Sequence, residues 1–96
     1  MPSLIVAERA ISDLARIADF LLEEDPSSSA RIVTLILEAL QILQQHPRIG
    51  RVAGQHRELV ISHGDTGYIA LYDFDEPRDR IMVHAVRHQR EVGFEE

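Results

Sequence analysis

The chain has 96 residues, a formal net charge of −6 and no cysteine. That length allows one hydrophobic core, and hence one domain spanning residues 1–96; the absence of thiols excludes disulfides and Cys-based zinc sites. All ten basic residues are Arg, and the net acidity is a poor basis for general binding to phosphate backbones.

The N-terminus, Met1-Pro2-Ser3-Leu4-Ile5-Val6, lacks the basic segment and long apolar run of a secretory signal. No stretch approaches the roughly 18 apolar residues of a membrane span, so a soluble, cytoplasmic protein is expected. Charge is unevenly spread. Residues 1–47 hold three Arg and seven acids, whereas residues 48–90 hold seven Arg and six acids. Arg in the second half suits bidentate recognition of a planar anionic partner.

Leu4-Ile5-Val6 reads as a short first strand. From Glu8 to Glu24, Ala10, Leu14, Ile17, Ala18 and Leu21 recur at helical spacing, and Ile11 and Leu22 widen the stripe toward further neighbours. Asp25-Pro26 stops this helix, because the residue before proline is pushed out of the helical region. The same dipeptide starts a second helix, with Asp25 or one of Ser27–Ser29 as cap and Pro26 in the first turn. This helix runs to about Gln45. Val33, Ile36, Leu37, Leu40 and Leu43 form one face, and Ile32, Leu35, Ala39 and Ile42 form a second apolar row. A helix apolar around so much of its circumference is deeply buried or covered by a partner.

After Gly50 the period changes to two. Residues 56–63, 68–74 and 81–87 read as strands, separated by turn signals at Gly64-Asp65-Thr66-Gly67 and Asp75-Glu76-Pro77-Arg78-Asp79. Short connections make these strands an antiparallel meander. The predicted fold is α+β in the order β-α-α-β-β-β, a helical hairpin on one face of a mainly antiparallel sheet. On the last strand, Ile81, Val83 and Ala85 alternate with Met82, His84 and Val86.

Several segments resemble one family. They are Ala10-x-x-Asp13-Leu14-x-x-Ile17, Pro47-x-x-Gly50-Arg51, Arg57-Glu58-Leu59-Val60-Ile61, Gly67-Tyr68-Ile69-Ala70-Leu71-Tyr72 and Ala85-Val86-Arg87-His88-Gln89-Arg90-Glu91-x-Gly93-Phe94. In this order, and across almost the whole chain, they are similar to the RelE/ParE superfamily of type II toxin–antitoxin toxins. The resemblance implies a growth-arresting toxin neutralised by a cognate antitoxin. RelE-like members cleave mRNA on the ribosome, whereas ParE-like members inhibit DNA gyrase without a cofactor.

For a metal-free nuclease, proton transfer would fall to His88 with Glu58 or Glu91, and charge neutralisation to Arg57, Arg87 and Arg90. The acidic chain, the lack of Lys and Phe94 in place of a hydroxyl-bearing aromatic turn the resemblance toward ParE-like gyrase inhibition, which requires no catalytic residue. Expected partner contacts are Leu35 and Ile42, Arg87, His88 and Arg90, with Tyr68 and Tyr72 read first as packing residues and second as antitoxin contacts. Arg57 and Arg87 are also candidates for ion pairs with Glu58, Glu91 or the tail acids. His84 and His88 would share a strand face, and His56 and His63 add two more histidines. No carboxylate or third His has diagnostic metal spacing, so neither metal nor other cofactor is expected.

Overall fold

The structure is a computed structural model that describes residues 1–63 and 66–90, with side chains described for all of these except residues 62, 63 and 66. The elements are β1 (Ser3–Val6), α1 (Glu8–Glu24), α2 (Pro26–Ile42), β2 (Arg51–Ala53), β3 (His56–His63), β4 (Thr66–Asp75) and β5 (Arg80–His88). Together they form two helices packed on a five-stranded sheet in the order β1-β5-β4-β3-β2. β1 runs parallel to β5 and the other pairs are antiparallel.

The predicted elements are present, with one addition. β2 is a three-residue strand that closes on β3 through the two residues Gly54 and Gln55. Gly54 has φ +65°, the left-handed backbone that favours glycine at the first central position of such a hairpin. Three residues are too few to display a period, and β2 is therefore invisible to alternation. Thr66 and Gly67, expected in a turn, belong to β4; Gly64 and Asp65 lie outside the described residues.

Asp25 alone joins the helices. Its side chain accepts hydrogen bonds from the Ser27 and Ser28 hydroxyls (3.0 and 2.7 Å), and the Ser29 hydroxyl donates back to the Ala18 carbonyl on α1. The stripe that α1 buries is Ala10, Asp13, Ile17 and Leu21. Ile11 and Leu22, expected to reach further neighbours, are exposed. On α2 the buried line is Ile32, Ile36 and Leu40, continued by Leu43. This line draws on both predicted rows, because positions 32, 36, 40 and 43 follow one helical ridge. Leu35 and Ala39 flank it and pack on the core, while Leu37 and Ile42 face outward.

Tyr68, Ala70, Tyr72, Ile61, Ile81, Val83 and Val86 supply the sheet side of the core. A bulge interrupts β5: Leu71 pairs with Ala85, but Tyr72 pairs with Val83. His84 is the extra residue. The alternation expected along β5 therefore breaks, and Val86 joins Ile81 and Val83 on the helix side. His88, in register with the core residue Tyr68, also points to that side, opposite to His84. The predicted common face for His84 and His88 is thus corrected by one inserted residue. Among the described residues no helix is long and apolar enough to cross a membrane.

Candidate functional site

Most segments that carry the family resemblance serve to clasp the fold. Among the described residues, the outer edge of β5 has no strand partner beyond Val6, and the carboxylate of Asp13 from α1 takes its place. It accepts from the Val86 backbone N–H at 2.9 Å and from the Arg87 guanidinium at 2.6 Å. Asp13 is buried, as a carboxylate with two such donors can be.

A second clasp centres on Tyr72, which is fully buried. Its hydroxyl donates to the Pro47 carbonyl at 2.8 Å and accepts from the Gly50 N–H at 2.9 Å. Gly50 has to be small: a Cβ there would lie 2.7 Å from the Tyr72 ring and 2.8 Å from the Glu58 carbonyl. The Arg57 guanidinium completes the turn by donating to the carbonyls of Gly50 (2.8 Å) and Arg48 (3.2 Å). Burial pushes the Tyr72 phenol above its ordinary pKa, outweighing the opposing effects of the Gly50 bond and the Arg57 charge. At the far end of β4, Gln89 donates its backbone N–H to the Gly67 carbonyl, and its side chain lies over Gly67 where a Cβ would stand. The His88 ring meets the Tyr68 ring edge-on at 5.1 Å.

The expected nuclease residues do not converge. Arg57 faces the helix side on β3, beside Tyr72. Glu58 is on the opposite face and pairs with Arg51 at 2.9 Å. Successive strand residues face opposite ways, which is why Arg57 does not pair with Glu58. Arg87 is two strands away, about 10 Å in strand spacing alone, and engages Asp13. His88 meets Tyr68 edge-on, and Arg90 is exposed. Glu91 and Phe94 lie outside the described residues, as does the side chain of His63. Of the expected partner contacts, Tyr68 and Tyr72 are 4% and 0% exposed; they pack the core and are withdrawn from any free surface. Leu35 also packs on the core, whereas Ile42 is 49% exposed.

One chemical group differs from the sequence expectation: His56 and His84 share a carboxylate, Asp73, that spacing alone does not reveal. His56 on β3, Asp73 on β4 and His84 on β5 meet on the sheet face away from the helices. Asp73 Oδ1 lies 2.6 Å from His56 Nδ1, and Oδ2 lies 2.7 Å from His84 Nε2. Partial burial raises the Asp73 pKa, but the two imidazole bonds and charges outweigh it, so the carboxyl is held below its ordinary value. The sequence separations of 17 and 11 residues match no local motif, and only the strand pairing brings the three together. Chemically the group can hold a proton between imidazole and carboxylate, or hold a cation.

Two helices on this mixed sheet are the architecture of type II toxins of the RelE/ParE superfamily. It matches the toxin in a structure described as the chromosomal ParDE system from P. aeruginosa, with TM-score 0.75 and 22% identity over 92% of this chain and 96% of that one. It also matches the RelBE2 toxin–antitoxin complex from Mycobacterium tuberculosis, with TM-score 0.67 and 21% identity over 93% and 100% of the two chains. The family profile described as the ParE toxin of the type II toxin–antitoxin system, parDE, matches residues 4–93. A relative named Toxin RelE3, from Caulobacter vibrioides, is 35% identical over 95% of this chain and 98% of its own. The chain belongs to the ParE toxin family, within the RelE/ParE superfamily.

Proposed function

We propose that this toxin arrests growth in the ParE manner, by inhibiting DNA gyrase, and that a cognate antitoxin neutralises it in the cytoplasm. The observation that carries this reading is the dispersal of Arg57, Glu58, Arg87 and His88 over both sheet faces and two strands, β3 and β5, with β4 between them. Each is engaged in holding the fold or a neighbouring side chain. A metal-free RNA cleavage site would need base, acid and cation within reach of one phosphate. Binding a protein target needs only a surface. The solved ParDE and RelBE relatives favour an antitoxin partner, and the exposed side of α2 around Ile42 offers it an apolar contact.

Purified toxin is expected to inhibit gyrase supercoiling at near-stoichiometric ratios, and His88→Ala should change this little. Undiminished supercoiling together with new cuts in ribosome-bound mRNA would overturn the reading. That outcome belongs to the second reading, RelE-like mRNA cleavage, which the name of the 35% identical relative favours.

A further inference from the structure

We propose that His56, Asp73 and His84 form a binding site for one divalent transition-metal ion on the open face of the sheet. Their ligand atoms, one from each residue, all lie within 4.8 Å of one another. The side chains come from three adjacent strands, so their spacing is set by the hydrogen-bonded ladder. Asp73 stands one step beyond the Arg57–Tyr72 pair, opposite His56. Asp73 pairs with Met82 across β4 and β5, which makes His84 its diagonal neighbour. A long side chain spans that diagonal.

The group is arranged as a chelate whose metal is replaced by protons. An ionised carboxylate only accepts hydrogen bonds, so His56 Nδ1 and His84 Nε2 both carry the bridging protons. Among the described residues, those two imidazoles are the hydrogen-bond partners of the Asp73 side chain. An ion seated between the three groups would take over both contacts, with each imidazole proton moving to its other ring nitrogen. Ligand distances of about 2.0–2.1 Å place tetrahedral neighbours about 3.3 Å apart. The present N···O separations of 2.6 and 2.7 Å, which run to the two different Asp73 oxygens, need to open by less than about 1 Å, and the widest ligand separation, within 4.8 Å, needs to close by up to about 1.5 Å.

Two neutral imidazoles and one carboxylate suit Zn²⁺, Ni²⁺, Cu²⁺ or Fe²⁺ rather than Mg²⁺ or Ca²⁺, which prefer all-oxygen sets. Three protein ligands leave further coordination positions open. The three side chains are about one-third to two-fifths exposed. An open pocket lined by Gly54, Gln55, His56, Arg57, Asp73 and Asp75 lies beside them, giving water or another donor access to the ion.

The test is calorimetric titration of the full chain with Zn²⁺, and with Mg²⁺ as comparison. One Zn²⁺ per chain is expected, with no saturable Mg²⁺ binding. Losing an outer partner of a metal ligand typically weakens binding about 10–100-fold. His56→Ala or His84→Ala, which remove ligands themselves, should exceed that range, and the exposed His46→Ala should stay within about twofold. Circular dichroism checks that each variant folds. Imidazole NMR on the unaltered chain supplies a readout independent of the variants: Zn²⁺ should move the ring nitrogens of His56 and His84 and leave His46 in place. Unchanged affinity in folded His56→Ala and His84→Ala, no saturable Zn²⁺ binding, or Zn²⁺ binding that leaves those two rings unmoved would each overturn the site.

Discussion

Asp13 and Arg87 are 74 residues apart in the chain and 2.6 Å apart in the fold. The pair joins the first helix to the last strand, and the second Asp13 oxygen closes the strand's open edge at Val86. Asp13→Ala would leave both a largely buried guanidinium and a buried backbone N–H without this acceptor. Breaking a buried pair in this way costs about 3–5 kcal/mol, a large part of the stability of a domain this size. Asp13→Asn, which keeps an acceptor for Val86, should lose less. Urea denaturation of the two variants checks the order.

The Tyr72 clasp predicts a pH dependence. Its folded pKa is raised, so its contribution is fully present below the unfolded value of about 10 and is lost as pH rises through the higher folded value. Thermal unfolding between pH 8 and 11 should show an alkaline loss of stability that is smaller in Tyr72→Phe. At neutral pH the same variant should be less stable by about 1–3 kcal/mol, because the Gly50 N–H and Pro47 carbonyl lose a partner.

Two glycines separate two kinds of requirement. Gly50→Ala forces a methyl against the Tyr72 ring and the Glu58 carbonyl, and should cost about 1–3 kcal/mol through overpacking. Gly54→Ala meets nothing within 4 Å; its cost should be the left-handed backbone alone, about 1–2 kcal/mol. Relieving Gly50→Ala with Tyr72→Phe should recover part of the first loss and none of the second, as melting temperatures of the double variants would show.

Leu35 and Ile42 should part company. Leu35→Asp places a charge against the core and should unfold the free toxin. Ile42→Asp, on the exposed side of α2, should change stability by about 0.5 kcal/mol or less while weakening antitoxin binding at least about tenfold, the scale of an apolar interface contact. Equal antitoxin affinity for Ile42→Asp and the unaltered toxin would remove this surface from the interface.

Periodicity made the helices and long strands legible, and Asp25-Pro26 marked their junction. The core-facing ridge of α2 was not legible, because apolar residues occupy nearly every side of that helix and only packing chooses among them. The exposed Leu37 and the buried Ile32 are equally apolar in the sequence. The motif residues Gly50, Arg57, Tyr72 and Arg87 were visible as a resemblance, yet their hydrogen-bonding roles required partners 7 to 74 residues distant. Asp73, the carboxylate that joins His56 to His84, was not legible for the same reason: strand pairing, not spacing, assembles the three.

The inserted residue at His84 makes β5 a strand with two reading frames. Before it, odd positions face the helices; after it, even positions do. Deleting that one residue would return the ladder to regular pairing and turn the end of the strand over, sending Val86 out to solvent and driving the Arg87 charge toward the core. The segment that marks the family thus depends on a phase shift just upstream of it. Its Arg and His exchange sides if the count changes by one, even with every letter of the motif intact.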